Sequence, residues 1–468
     1  MTFTDMLPIA LAPMVERLLA AGATPILVGG AVRDRVLGLD SKDLDIEVYG
    51  LSVETLAEVL APLGSVHAVG KCFGVLKLRL GGYELDISLP RRERKVSQGH
   101  RGFEVDYDPS MTYAEAASRR DFTINSMGVD LATQELLDPW GGLADLHSGI
   151  LRHISGAFSE DPLRVLRACQ FAARFGFAIA PETVALCRSL RGELPTLSSE
   201  RVWGEFRKLL LKAERPSVGL RALQQTEALT LFPELAALQG VPQNPRYHPE
   251  GDVWVHNNLV IDACAAICRD QGLADDEALV ILLAALCHDF GKPATTRLED
   301  GVWRAIGHEE AGEAPTRSFL NRIGCPPSWV DGIVALVREH TRPLRLWDQQ
   351  KIKPVSDGAV RRLALKVPLR RLNLVALADF RGRTSADAGG PCEAVDWLAT
   401  RAGQLAVADA APRPLLQGRD LQQLGIAPGP DMGKLLRSAF EAQLDGEYNC
   451  REEGLNWLRQ QLSQPAPH

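Results

Sequence analysis

The sequence has no excess of positive charge. Its 52 Lys and Arg against 59 Asp and Glu leave a formal charge of −7. Binding of nucleic acid through bulk charge is excluded, and any such contact must rest on local basic patches. Paired cysteine spacings are also missing. The nine Cys are scattered with no Cys-x-x-Cys, which argues against a zinc ribbon and a disulfide framework. Reduced, buried thiols are expected instead. No apolar run approaches the length needed to span a bilayer. The opening stretch, MTFTDMLPIALAPMVERLL, carries an acidic residue and no basic region ahead of its apolar part, so it is a poor signal peptide. The expectation is a cytoplasmic protein with no membrane contact. There is no internal repeat and no low-complexity tract. A zincin is excluded, because His308-Glu309-Glu310 lacks the second His at the spacing that motif needs.

What is present fits an ordinary soluble protein of several domains: 468 residues, 46% hydrophobic and 24% charged. Residues 13–22 have an amphipathic helical pattern. Ile26–Val28 reads as a strand, Ala31–Leu37 as a helix opened by Gly29–Gly30, and Leu44–Val48 as a second strand. A helical pattern over Val53–Leu60 precedes strands at Val66–Val69, Val75–Leu80 and Tyr83–Leu89. Gly81–Gly82 joins the last two as a hairpin. The basic, polar segment RRERKVSQGHRGFE after Pro90 is expected to be a mobile loop. From Asp161 onward the pattern is helical, at 163–176, 181–190, 200–213 and 216–227. Gly240–Gly251 reads as a linker, and a second helical block with most of the His begins at Val253. Further breaks fall near 383–391 and 410–414, and the polar, Pro-containing end is expected to be disordered. The division is 1–150, 151–240, 241–400 and 401–468. The class is α+β, a mixed-sheet head followed by all-helical parts.

The stretch Leu27–Tyr49, LVGGAVRDRVLGLDSKDLDIEVY, is the first candidate site. Gly29 and Gly30 lie between a strand and a helix, where backbone can approach a phosphate closely and free N–H groups face it. Alone, such a pair marks only a turn. Asp43 and Asp45 alternate on a strand and share a face. Two carboxylates there repel each other unless a cation lies between them. Mg²⁺, which takes a few carboxylates plus phosphate oxygens, suits that position. The bland alternative is a solvated strand edge with Lys42 as counter-charge. Asp86, on a later strand, can supply a third carboxylate for two metal ions, and Glu84 on the same face competes with it.

Leu27-Val-Gly-Gly-Ala-Val-Arg-Asp34 with Asp43-x-Asp45 resembles the first signature of the class II tRNA nucleotidyltransferases, the CCA-adding enzymes, and of the related bacterial poly(A) polymerases. Arg119-Arg120-Asp121-Phe122-Thr123-Ile124-Asn125 is similar to their second signature, and Asp138-Pro-Trp-Gly-Gly-Leu-Ala-Asp145 to their neck hinge. Glu160-Asp161-Pro-Leu-Arg164 is similar to the nucleobase-reading signature and Ser199-Glu200-Arg201-Val202 to the fifth. The five run in order over about residues 25–215. Read from their chemistry, Arg119 and Arg120 are forked donors for a triphosphate and ribose, and Asn125 can bond a sugar hydroxyl. Asp161-Pro162 reads as an N-cap followed by a first-turn Pro, with Arg164 on the same face for a local ion pair. The resemblance implies more. The head is polymerase-beta-like. Asp43, Asp45 and less certainly Asp86 are catalytic, with Asp43 and Asp45 holding Mg²⁺. Gly29, Gly30 and Arg33 cradle the triphosphate. Asp121 and Arg167 join the nucleotide-binding set, and Asp161 with Arg164 reads the Watson–Crick edge of CTP and then ATP. The acceptor is the 3′ end of tRNA. Arg91–Arg101 stands where the family carries a flexible loop tied to the switch from C to A. Full CCA addition, partial CC or A addition, and poly(A) synthesis remain rivals. So does a hydrolase or RNA-binding protein with an inactive head.

The second candidate site draws on His256, His288-Asp289 and Asp379, with His308 and His340 nearby in sequence pattern. Imidazole and carboxylate ligands from several helices can hold a divalent transition metal. The set resembles the HD phosphohydrolase superfamily, with His256, His288, Asp289 and Asp379 in the ligand positions. The resemblance implies hydrolysis of 2′,3′-cyclic phosphates, 2′-nucleotides and phosphomonoesters with Ni²⁺, Mn²⁺, Co²⁺ or Mg²⁺. Lys292 is then a phosphate contact, and His308 with His340 a possible second metal or phosphate site. A degenerate, inactive HD fold is the alternative. The tail from Gln417 reads as two short helices and resembles the segment that holds the tRNA elbow. Arg361, Arg362, Lys366, Arg370 and Arg371 form the expected basic patch for RNA. The sequence leaves monomer or dimer open.

Overall fold

The computed structural model describes residues 8–39, 44–64, 66–69, 75–95, 103–108, 110–385 and 389–463. The chain divides into two compact units, Met1–Leu209 with Val218–Leu231, and Leu210–Ser217 with Phe232–His468.

The first unit is built on a mixed sheet. Its strands are β1 (Thr24–Val28), β2 (Leu44–Tyr49), β3 (Val66–Val69), β4 (Val75–Leu80) and β5 (Tyr83–Ser88). After β6 (Arg91–Lys95) and β7 (Phe103–Tyr107) come β8 (Gly128–Asp130) and β9 (Leu136–Leu137). The sheet order is β3-β4-β5-β2-β1-β8-β9. β2 and β5 are parallel, and a parallel pair needs a long crossover. Helix Val53–Leu60 and the β3–β4 hairpin supply it. In β2, Leu44, Ile46 and Val48 are buried, and across the register Leu85 and Ile87 are buried too. Each such side chain contributes roughly 1.5–3 kcal/mol. A slip by one residue would turn Asp45 and Glu47 into that core, so the register is strongly held.

Three helices frame the site side of this unit: α1 (Gly30–Val36), α2 (Leu163–Phe175) and α3 (Ser199–Lys212). Phe122 meets Phe158 and Phe171 edge-to-face, both at 5.7 Å between ring centres. These contacts dock the 119–125 segment against α2. One expectation is corrected. The segment after Pro90 is not simply a loop, because β6 and β7 pair antiparallel as a separate two-stranded sheet.

The second unit is helical around α4 (Val253–Asp270), α5 (Asp275–Cys287), α6 (Pro327–Glu339) and α7 (Leu369–Arg381). In α5 every residue from Ala278 to Cys287 is buried, as expected for a helix apolar all round. The helical stretch Asp275–Thr295 is in fact long and apolar enough to cross a membrane, contrary to the sequence expectation, but most of it is buried inside the protein as a core helix. A short hairpin, Arg297–Glu299 with Val302–Arg304, interrupts the helical pattern. The tail forms the two expected helices, Gly418–Gln423 and Pro430–Asp445, and a third follows at Arg451–Ser463. They close over Leu421, Ala439, Tyr448 and Leu458.

Candidate functional site

At the first site Gly29 follows β1 with φ of +73°, a conformation that a side chain enters only with strain. A Cβ on Gly29 would lie 3.2 Å from Arg120 Nη1, and one on Gly30 would lie 3.5 Å from Arg33 Nη2. Two guanidinium groups therefore border the glycine turn. Asp45 faces Val28 on one side and Asp86 on the other in the β-register. Asp43 lies outside the described residues. Lys77 Nζ lies 2.9 Å from Asp86 Oδ1 at a half-exposed position. Glu84, the competing carboxylate, lies further along the strand in an exposed ion pair with Arg79. Asp45 beside Asp86 is a hard oxygen donor set that fits Mg²⁺.

Behind the turn runs a buried chain of alternating charge. Arg33 donates from Nε and Nη2 to Asp34 Oδ1 at 2.8 and 2.6 Å, and from Nη1 to Asn125 Oδ1. Asn125 Nδ2 donates to Asp121 Oδ1 at 2.8 Å, and Arg167 Nε to Asp121 Oδ2 at 2.7 Å. Arg174 closes the far end on Asp34 Oδ2 at 3.1 Å, and Phe175 lies under the Arg33 guanidinium at 4.8 Å. Burial alone would raise the Asp121 pKa, but Arg167 and Asn125 hold it below the usual carboxylate range. The expected sugar-binding amide of Asn125 is thus held between Arg33 and Asp121, and it faces this chain. Arg120 Nη1 donates to the Asn125 carbonyl at 3.1 Å, and Nη2 lies 3.5 Å from Glu47 Oε2.

Asp161 and Arg164, the residues expected to read the base, each have their own partners. Asp161 Oδ1 accepts from Leu163 N at 3.1 Å, and Oδ2 accepts from Arg201 Nη2 at 2.8 Å. Arg164 instead donates to the carbonyls of Ala157 and Arg119, both at 2.7 Å. Pro162 stands at the N-cap of α2 rather than in its first turn. Arg119 meets Glu160 at 2.8 Å. Glu47, Asp34 and Arg174 escaped sequence reasoning. Glu47 is two residues from Asp45 on the same strand face, and that alternation was the available signal.

At the second site His256, His288, Asp289 and Asp379 come together, all buried. His256 Nε2 lies 3.1 Å from Asp379 Oδ1, and His288 Nε2 lies 3.1 Å from Asp289 Oδ2. His308 and His340 join them, with their Nε2 atoms 3.4 Å apart and His308 Nε2 3.6 Å from Asp289 Oδ1. The Nδ1 atoms of His288, His308 and His340 lie 2.7, 2.8 and 2.6 Å from the carbonyls of Ala285, Ala305 and Val337. A carbonyl only accepts, so each Nδ1 carries the proton and each Nε2 turns inward as an acceptor. His340 is pushed down to about 3 by burial and by His288 and His308, so its lone pair is available. Burial would raise Asp289, yet His288 and Lys292 hold it well below the usual range. His288 Nε2 and both Asp289 carboxylate oxygens are buried without a hydrogen-bond partner. Crowded acceptors met by a single ammonium, that of Lys292, fit a divalent cation. Two three-residue groups around Asp289, His256–His288–Asp289 and Asp289–His308–His340, have the proximity to hold one, and a third, His248–Glu250–His256, lies on the far side of the His256 ring.

Lys292 Nζ lies 2.7 Å from Asp289 Oδ2 and donates to Gln243 Oε1 at 2.7 Å. Glu250, inside the stretch read as a linker, accepts from His256 Nδ1 at 2.8 Å. No periodicity marks it, because it stands in a Pro- and Gly-rich turn. Four of the five residues of the expected basic patch for RNA have partners within the protein, and the fifth, Arg370, is exposed. Arg362 pairs with Glu441 and Asp445, Lys366 with Glu339, Arg371 with Glu277, and Arg361 bonds the Leu444 carbonyl. Those cations are committed to holding helices together.

Residues 26–152 match the family described as "Poly A polymerase head domain", residues 176–239 that of "Probable RNA and SrmB- binding site of polymerase A", and residues 254–380 that of "HD domain". The Multifunctional CCA protein of Xanthomonas campestris pv. campestris (strain B100) is 40% identical over 435 residues, 91% of this chain and 99% of that protein. This chain belongs to the multifunctional CCA protein family. The Bacillus stearothermophilus CCA-adding enzyme in complex with CTP shares the fold at TM-score 0.64 and 22% identity, over 97% of this chain and 98% of that one. The Thermotoga maritima CCA-adding enzyme complexed with tRNA_CCA does so at TM-score 0.61 and 21% identity, over 99% of both chains. Membership covers both halves of the chain, so the two sites described above belong to one multifunctional architecture.

Proposed function

We propose that this protein adds C, C and A to the 3′ end of tRNA from CTP and ATP, and that its HD half is a metal-dependent phosphohydrolase. One observation carries the transferase proposal: Asp45 and Asp86 stand side by side in register next to a glycine turn bordered by Arg33 and Arg120. Asp43 and Asp45 hold Mg²⁺, with Asp86 as third carboxylate. When bound, Mg²⁺ supplies positive charge against the transferring phosphoryl group. The tRNA 3′ hydroxyl attacks the α-phosphate in line and pyrophosphate leaves. Gly29, Gly30 and Arg120 hold the triphosphate, with Arg33, Asp121, Asn125 and Arg167 as the buried frame behind it. Asp161 and Arg164 select the base without a nucleic-acid template, and Arg201 and the Ala157 and Arg119 carbonyls set their orientation. The finer division of the chain into head, neck, HD domain and tail belongs to the same proposal, as does a cytoplasmic location.

At the HD site His256, His288, Asp289 and Asp379 hold the metal, with Ni²⁺, Mn²⁺, Co²⁺ and Mg²⁺ as the ions to test. The substrates are 2′,3′-cyclic phosphates, 2′-nucleotides and phosphomonoesters, and Lys292 faces their phosphate. Incubating tRNA that ends before CCA with labelled CTP and ATP, separately and together, tests the transferase. Ordered C, C, A addition supports it; a long A tail or no incorporation overturns it. For the HD half, opening of 2′,3′-cyclic AMP to its 2′- or 3′-monophosphate should survive Asp45→Ala and disappear in Asp289→Ala.

A further inference from the structure

Among the four inward-facing imidazoles, His256 differs in how its ring is held. His288, His308 and His340 each place Nδ1 on a backbone carbonyl three residues earlier in the chain. His256 Nδ1 meets a carboxylate instead, Glu250 Oε1, at 2.8 Å. The Glu250 side chain is 1% exposed, so solvent does not compete for it. Its Oε1 also faces His248 Nδ1 at 3.0 Å. Its Oε2 accepts from Thr384 N at 3.2 Å and Thr384 Oγ1 at 3.4 Å. Thr384 lies just beyond the end of α7, the helix that carries Asp379, and its neighbour Arg383 Nη2 bonds Asp379 Oδ2 at 3.0 Å. One buried carboxylate thus touches the segment ahead of His256 and the segment behind Asp379.

We propose that Glu250 is a positioning residue of the HD metal centre, fixing the His256 proton on Nδ1 so that Nε2 and Asp379 Oδ1 present two acceptors to the cation. The proposal rests on the HD metal site proposed above. An ionised carboxylate has only acceptors, so the ring nitrogen against it must donate. A neutral imidazole has one proton, and with Nδ1 holding it the lone pair lies on Nε2. Nε2 then points at Asp379 Oδ1, 3.1 Å away. Two acceptors at that distance repel each other unless a cation lies between them.

Glutamine is isosteric with glutamate but cannot do the same work. The Oε1 side of Glu250 faces two ring nitrogens that donate, and the Oε2 side faces two Thr384 donors. An amide offers one acceptor side and one donor side. If its oxygen faces Thr384, its NH₂ faces His256 Nδ1 and drives the ring proton to Nε2, where it blocks the metal. If its oxygen faces the histidines, its NH₂ collides with the Thr384 N–H. Glu250→Asp keeps the charge and both acceptors on a shorter arm.

The test is Mn²⁺ and Ni²⁺ binding to the full chain by calorimetry, with chelator-stripped protein melted in parallel to follow folding. Loss of such an outer carboxylate weakens metal affinity about 10–100-fold, and Glu250→Gln should fall in that range. Glu250→Asp should recover part of it. Thr384→Val removes one bond on the Oε2 side and leaves the histidines untouched, so its affinity should match the parent. Equal affinity of Glu250→Gln and the parent overturns the proposal alone. Equal losses in Thr384→Val and Glu250→Gln also overturn it, because Glu250 would then act by holding the segment. A parent chain that binds neither ion removes the HD metal site and this proposal together. Nitrogen-15 spectra of His256 in the Zn²⁺-loaded parent give a readout that needs no variant: Nδ1–H supports the proposal and Nε2–H refutes it.

Discussion

Asp121 shows how much a single residue settles in the head. It is buried, and its two oxygens hold Asn125 and Arg167 from different segments. Removing one partner of a buried charge pair leaves the other uncompensated, at about 3–5 kcal/mol. Asp121→Ala should lose that much stability in urea unfolding; a loss below about 1 kcal/mol would show the chain to be solvated. Arg201 makes a second residue-scale case. It donates from Nη2 to Asp161 Oδ2. Arg201→Ala should leave tRNA binding intact and raise incorporation of UTP and GTP relative to CTP and ATP. Unchanged base selectivity would mean that the Arg201 bond does not orient Asp161.

Among the elements, β2 is the most exacting. Its alternation sends Ile46 to the core and Asp45 to the site, and its parallel pairing with β5 puts Asp86 beside Asp45. Ile46→Ala should cost about 2–5 kcal/mol through lost burial and a cavity. Glu47→Gln, on the opposite face, keeps the side chain's size but removes the charge that faces Arg120 and the Tyr49 hydroxyl, and should cost less, about 1 kcal/mol. Thermal melts of both variants check this, and equal losses would contradict the face assignment. The strand, its alternation and the Asp-x-Asp were legible in the sequence. The strand of Asp86 was expected beside it, but the parallel direction and the Asp45–Asp86 register were not legible, because a crossover of helix and hairpin lies between β2 and β5 and no local pattern encodes where it returns.

The whole molecule consists of two compact units, and the chain passes between them more than once: Leu210–Ser217 belongs with the second unit although Val218–Leu231 belongs with the first. Ser217 N and Oγ donate to Asp262 at 2.8 and 2.6 Å within that second unit. A fragment starting at Val241 loses those bonds, so it should melt below the corresponding transition of the full chain. Metal should act on the same unit. A ligand at a hundred times its dissociation constant stabilises by about 2.7 kcal/mol, so adding Mn²⁺ to stripped protein should raise the melting transition of the helical half. Asp289→Ala should abolish the rise.

The sequence by itself determined the elements, the ordered signatures and the ligand residue types, because strand alternation, helix periodicity and short-range spacing are local. It placed His256, His288, Asp289 and Asp379 in one site by resemblance, and these four are brought together in the fold. The tertiary structure decided what each side chain has left to offer. Arg361, Arg362, Lys366 and Arg371 read as cations for RNA, yet acidic residues and carbonyls far along the chain already hold them. Asn125 reads as a sugar contact, yet Arg33 and Asp121 enclose it. Glu250 reads as part of a linker, yet it is the carboxylate against His256. A donor or acceptor is committed by the partner that meets it in space, and those partners lie 27 residues away for Lys366–Glu339 and 92 for Asn125–Arg33. No short sequence window contains those two pairs, and even across the six residues from Glu250 to His256 the contact depends on how the turn folds back, so which side chains are engaged is a property of the folded chain.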